Sequence, residues 1–350
     1  MSNWSKIEDA IKNRILMLDG AMGTMLQKQS LQEEDFRGER FKDWPSPLQG
    51  NNDLLVLTKP EAVAKVHNQF LAAGADLIET NSFNATTISQ ADYDMSDLAT
   101  EIAREAAKLA RQCADEWTAK TPDKPRCVLG SVGPMNKTLS ISPKVEDPGF
   151  RDVTFDEVME SYVGQIEAMV DIVDAVLIET VFDTLNCKAA IAAAKHVFDK
   201  VGYEKPILIS GTITDRSGRT LSGQTAEAFW ISIAHAKPFA VGLNCALGAD
   251  EMRPHIESIS RVANTYVISF PNAGLPNAFG EYDETPLDMS RQIKPWIDEG
   301  FVNILGGCCG TTPDHIAAIA KAAKGVSSRV PVDPPQTLRL SGLEPFQIAV

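Results

Sequence analysis

No stretch of 18 consecutive apolar residues occurs in the 350-residue chain, so the sequence offers no membrane-spanning helix. Positive charge is in deficit. The 33 Lys and Arg face 47 Asp and Glu, a net charge of -14 that argues against a nucleic-acid-binding surface. The N-terminus lacks a basic segment followed by an apolar one, so no secretory leader is expected and a cytoplasmic location is. Six cysteines are too few for a disulfide scaffold. Histidine is scarcer still, and His67, His196, His235, His255 and His315 all fall in segments with helical patterning. No GxGxxG follows the first strand-like run, which weakens a doubly wound dinucleotide fold.

What is present is a regular alternation. Hydrophobic residues make up 44% and charged residues 23%, enough for one large barrel or two ordinary domains. Short β-rich runs recur at 15–18, 77–80, 126–129, 175–179, 207–210, 240–243, 266–270 and 302–305. Most are apolar at consecutive positions, the pattern of parallel strands buried on both faces. Helical patterns separate them, at 60–73, 98–118, 155–170, 184–201, 226–236, 250–263, 287–299 and 313–323. This alternation predicts a (β/α)8 TIM barrel over 7–325. The first βα connection, 19–59, is unusually long. It carries Phe36, Phe41, Trp44, Leu54, Leu55 and Val56, so an ordered cover over the barrel mouth is expected. The Pro-rich run Val330-Pro331-Val332-Asp333-Pro334-Pro335 marks 326–350 as a linker. The abrupt stop after it suggests a further module absent from this sequence.

In such barrels chemistry sits at the C-terminal ends of the strands. Three acids stand there, Asp19, Glu79 and Glu179. So do three thiols: Cys245 after the sixth run, and Cys308 and Cys309 among glycines after the eighth. Cys113, Cys127 and Cys187 lie within apolar patterns and are expected as core thiols. A Cys308–Cys309 disulfide is disfavoured, because adjacent Cα atoms sit about 3.8 Å apart. With no histidine near the rim, three thiolates suggest zinc with one coordination position open. Core thiols, a redox pair, or a phosphate site at Gly306-Gly307 remain the alternatives. The rim also suits an amino-acid ligand. Its ammonium can meet Asp19 or Glu179 and its carboxylate the backbone N–H groups of the glycine-rich turns. Asn244, next to Cys245, joins Asp19 and Glu179 as a substrate-binding candidate.

The run Gly306-Gly307-Cys308-Cys309-Gly310, with Gly242-Leu243-Asn244-Cys245, resembles the zinc signature of the homocysteine S-methyltransferases. Leu18-Asp19-Gly20-Ala21-Met22-Gly23-Thr24-Met25, Gly50-Asn51-Asn52-Asp53 and Gly218-Arg219-Thr220-Leu221-Ser222-Gly223-Gln224-Thr225 look like the N-terminal module of the cobalamin-dependent methionine synthases. Phe36-Arg37-Gly38-Glu39-Arg40 and Ala91-Asp92-Tyr93 do so too. Leu340-Ser341-Gly342-Leu343-Glu344-Pro345 resembles the stretch leading into that family's folate-binding module. The resemblance covers roughly 7–346. It implies Cys245, Cys308 and Cys309 as zinc ligands and catalytic set, Asp19 as an acid near the substrate, and Glu179 as the acid that holds its amino group. It implies methyl transfer to the sulfur of homocysteine, giving methionine. The donor would be methylcobalamin supplied by another module, and the cobalamin- and folate-binding modules would be the partners. There are two departures. Met135 stands where the family usually has threonine, and 170–174 lacks a glycine pair before the fourth strand. Neither touches the thiols. A stand-alone methyltransferase using betaine or S-methylmethionine, and a non-catalytic homocysteine-binding module, are the alternatives.

Overall fold

The computed structural model describes residues 3–214 and 217–348. Eight strands run parallel around a ring. They are β1 (Leu16–Met17), β2 (Leu77–Glu79), β3 (Cys127–Val132), β4 (Ala175–Val181), β5 (Ile207–Gly211), β6 (Ala240–Gly248), β7 (Tyr266–Asn272) and β8 (Ile304–Leu305). Their order is β1-β8-β7-β6-β5-β4-β3-β2, and a single bridge from Leu18 to Leu77 brings β1 and β2 together. One barrel helix follows each strand: α1 (Pro60–Ala73), α2 (Ala99–Lys120), α3 (Phe155–Met169), α4 (Thr184–Val201), α5 (Ala226–Ile233), α6 (Ala249–Val262), α7 (Pro286–Asp298) and α8 (Pro313–Ala323). The chain is a (β/α)8 barrel. Among the described residues, no helix is long and apolar enough to cross a membrane.

Local chemistry sets the helix ends. Thr154 with Glu157, and Thr285 with Asp288, form capping boxes at α3 and α7. In α2, Ala103, Ala106, Ala107, Ala110 and Ala114 are all buried. Small side chains on that face let the helix lie close against the barrel.

Inside the ring the side chains follow a period of two. Leu77, Leu129, Leu177, Leu208, Ala240 and Ile268 belong to one apolar interior cluster. The next inward positions along β2, β3, β4 and β5 are Glu79, Ser131, Glu179 and Ser210, and along β6 the inward series ends at Asn244. The interior is thus apolar below and polar at the C-terminal rim. A short helix, Asn3–Ala10, seals the opposite end. Its Trp4 and Ile7, with Ile11, join the interior cluster, and Trp4 packs edge-on against Phe239, 5.0 Å between ring centres.

The long first connection is ordered, as its apolar anchors suggest. Phe36, Phe41, Leu54 and Leu55 are buried in the main core. Glu33 accepts from the backbone N–H groups of Leu48 and Gln49, and Arg37 donates to the carbonyls of Trp44 and Ser46. The connection ends by delivering Gly50, Asn52 and Asp53 to the mouth of the barrel.

The segment after α8 meets the barrel at two places, Arg329 and the hairpin that follows. The buried Arg329 guanidinium donates to the carbonyls of Ser260 and Ala263 at the end of α6, and to Thr265. A hairpin of β9 (Arg339–Ser341) and β10 (Pro345–Gln347) then rests near α5. The Ser341 hydroxyl donates to Ala228 O at 2.6 Å, and Gln224 Nε2 to Gly342 O at 2.9 Å.

Candidate active site

A cavity of about 270 Å³ opens at the C-terminal end of the strands. Its lining includes the acids Asp19, Asp53, Glu79 and Glu179 and the thiols Cys245, Cys308 and Cys309. Among the described residues, no Lys, Arg or His lines it.

The sulfur corner is built by three departures from regular backbone. On β6 the inward position is Asn244, so an unbroken strand would turn Cys245 outward. Instead the pairing with β7 shifts between Asn244 and Gly248, and Cys245 and Ala246 take φ of 59° and 58°. Such left-handed residues without glycine cost on the order of 1–3 kcal/mol each and collect at functional sites. Cys308 and Cys309 follow β8 in a loop whose backbone is tied on two sides. Cys308 N donates to Pro271 O at 2.8 Å, Ala273 N to Cys309 O at 2.9 Å, and the Thr311 hydroxyl to Cys308 O at 2.7 Å. Gly310, at φ 81°, lets Tyr282 pack closely, for a Cβ there would lie 2.3 Å from Tyr282 Cβ.

The three Sγ atoms all lie within 4.8 Å of one another, and those of Cys245 and Cys309 are 3.7 Å apart. Sulfurs at vertices of a tetrahedron around zinc, with bonds near 2.3 Å, stand about 3.8 Å apart. The donor set therefore fits a zinc ion, and it leaves the fourth vertex to something other than a cysteine. Hydrogen bonds from Cys245 and Cys308 hold the Cys309 thiol pKa low, while hydrogen bonds with Cys245 and Cys309 push Cys308 up.

The acid corner is equally unusual. Burial pushes the Glu179 carboxyl up to about 7, against the pull of the Ser131 hydroxyl at 2.5 Å. Burial raises Asp19 and Glu79 as well, and Glu179 nearby adds to both shifts. Asp19 Oδ2 accepts from Glu79 N at 3.0 Å, yet Asp19 Oδ1 and Glu79 Oε1 have no hydrogen-bond partner among the described residues. Burying carboxylates without a counter-charge is unfavourable. A small cation such as an ammonium group would satisfy these oxygens.

The structure brings Asp19, Glu179, Cys245, Cys308 and Cys309 together at one mouth. It places Asn244 differently. Asn244 is fully buried, does not line the cavity, and its amide is bonded to Thr180 and Ser210. Two lining acids had been given no role from the sequence. Glu79 follows Leu77 by two residues and was findable from strand parity. Asp53 arrives from the long loop, buried and raised to about 6 by that burial, with Oδ1 accepting from Asn84 N. No periodicity marks it. Asn272, at the end of β7, is buried and has an unpartnered carbonyl oxygen.

Comparison with known proteins agrees with this geometry. The crystal structure of the homocysteine methyltransferase MmuM from Escherichia coli in its metallated form has 21% identity and a TM-score of 0.68, covering 91% of this chain and 99% of that one. The oxidized form of MmuM gives 20% identity and a TM-score of 0.70, over 92% of this chain and 99% of that one. At such identity the likeness speaks for the fold. The sequence model of the homocysteine S-methyltransferases matches residues 16–323, nearly the whole barrel. The chain therefore belongs to the homocysteine S-methyltransferase family.

Proposed function

We propose that this barrel binds homocysteine between a Cys245–Cys308–Cys309 zinc corner and the Asp19–Glu179 acid corner, and presents its sulfur for methylation to methionine. The observation that carries the reading is the pairing of three clustered thiols with unpartnered buried carboxylate oxygens in one cavity. A free thiol near pKa 8.5 is only a few per cent thiolate at pH 7. A zinc ion held by the three cysteines would favour loss of that proton and keep the sulfur nucleophilic at neutral pH. The chain's own residues do the rest. Glu179, steadied by the Ser131 hydroxyl, receives the ammonium group, with Asp19 beside it. The glycine-containing turn after β1 lines the cavity and is where backbone N–H groups can meet the carboxylate, because those of Gly306, Gly307, Cys308 and Gly310 after β8 already donate within the protein. The cavity's volume suits one small amino acid.

The methyl donor we assign is methylcobalamin, carried by another module. Support comes from the sequence motifs resembling the N-terminal module of the methionine synthases, including 340–345 beyond the barrel. On this reading 7–325 is the homocysteine-binding barrel, and 326–350 leads toward a folate-binding module. Six cysteines without a disulfide fit a reducing, cytoplasmic setting. One observation favours a second reading. The alignment with MmuM covers 99% of that protein, so the barrel alone spans the length of a homocysteine methyltransferase. Turnover by this chain with S-methylmethionine, and none with methylcobalamin, would select that reading.

The test is zinc stoichiometry with X-ray absorption at the zinc edge. The expected result is one zinc per chain, with three sulfurs and a light atom changing to four sulfurs when homocysteine is added. A sulfur count unchanged by homocysteine would overturn the proposal.

A further inference from the structure

The side chain of Asn244 reaches three other strands or loops at once. Its Oδ1 accepts from Thr180 N at 3.0 Å and from the Ser210 hydroxyl at 2.7 Å. Its Nδ2 donates to the Thr180 hydroxyl at 2.8 Å and lies 4.0 Å from the Cys308 sulfur. An amide has two donors and two acceptor lone pairs, so its capacity is filled.

These contacts hold two interruptions of the barrel. β4 shifts register against β5 between Ile178 and Val181, and Thr180 within that shift has φ 55°. β6 shifts against β7 just after Asn244, where Cys245 has φ 59°. Irregularities of this kind re-aim the side chains beside them. On β4 the neighbour is Glu179; on β6 it is Cys245 itself. Neither position carries a glycine, so the left-handed backbone needs restraint from outside. For Thr180 both bonded atoms, N and Oγ1, go to one amide.

We infer that Asn244 is a positioning residue that fixes Glu179 relative to the sulfur corner, and so makes the site prefer an α-amino thiol over a plain thiol. The inference rests on the homocysteine reading above. Asn244 acts through Thr180 and touches no substrate, since it does not line the cavity. Its amide is the requirement, because donor and acceptor must both meet Thr180.

The test uses the intact chain with two thiols, homocysteine and 4-mercaptobutyrate, the same molecule without its amino group. Zinc is measured by metal analysis and thiol binding by calorimetry. The unaltered chain must bind zinc and prefer homocysteine; if it does not, the proposed function fails and the role of Asn244 is not at issue. In Asn244→Ala, zinc stays stoichiometric and homocysteine affinity falls about tenfold or more, while 4-mercaptobutyrate affinity moves less than roughly threefold. Adding Thr180→Gly restores most of the preference, because glycine takes positive φ unaided. Loss of zinc, equal loss for both thiols, or no recovery in the double variant overturns the inference. If Asn244→Ala does not fold, the double variant decides. Folded and selective, it supports the role; unfolded or unselective, it refutes it.

Discussion

Cys308 is the thiol through which the metal corner can be tested most directly, because it packs against the barrel interior and lies within 4.8 Å of the other two sulfurs. Cys308→Ala should abolish zinc binding while leaving a folded barrel. Full zinc retention, read by metal analysis, would contradict the assignment. Glu179→Gln should keep zinc but weaken homocysteine binding roughly 10–100-fold, the effect of losing a charged hydrogen bond of about 1.5–3 kcal/mol. The direction with pH follows from the raised Glu179 value. Below about 7 the carboxyl is protonated and offers no charge to an ammonium group. The homocysteine-to-4-mercaptobutyrate affinity ratio should therefore rise between pH 6 and 8. Taking the ratio removes most of the thiol's own titration. At this scale the thiols and two of the acids were legible in sequence because each stands at or within a few residues of a strand's C-terminal end. Asn244 and Asp53 were not. The role of one depends on a register shift, and the place of the other on the path of a long loop.

Among elements, β6 and β7 approach closely at Gly242, where a Cβ would lie 1.5 Å from Ile268 O. Neither strand's backbone can yield without breaking the ladder. Gly242→Ala should cost at least about 3 kcal/mol, the upper end usual for overpacking. Gly202, at φ 80° after α4 with no heavy atom within 4 Å, meets only the strain of its backbone. Gly202→Ala should cost about 1–2 kcal/mol. Urea denaturation of both variants separates the two causes, and equal losses would refute the distinction. In α1, His67 is fully buried with neither ring nitrogen bonded, and burial lowers its pKa to about 4. The unfolded chain takes up a proton near 6.5 that the folded one refuses until about 4. Stability is thus lost as pH falls through that window. His67→Leu should flatten this limb in a difference plot of melting temperature against pH. The strands and barrel helices were legible because period two and period 3.6 are local. Asn3–Ala10 was not, since the interior cluster that its Trp4 and Ile7 join is assembled from residues of several strands far apart in sequence.

At the scale of the molecule, the ring and the segment beyond it are held by a few named contacts. Arg329 meets the carbonyls that end α6, where a cation also favours the helix dipole. Arg329→Ala removes the guanidinium donors from those carbonyls, leaving Ala263 O only the long contact from Val332 N, and should lower stability by about 1–3 kcal/mol, measured by thermal and urea unfolding. The ring itself is uneven. Most neighbouring strands share a ladder, but β1 and β2 meet through one bridge, supported by Asp19 N to Leu77 O and by Asp19 Oδ2 on Glu79 N. A hoop under load parts at its thinnest weld, and proteins likewise open first where the fewest contacts hold. Asp19 and Glu79 are both members of that weld and of the acid corner. Under rising denaturant, the chain should stop taking up homocysteine before its helices melt, so that inactivation precedes unfolding.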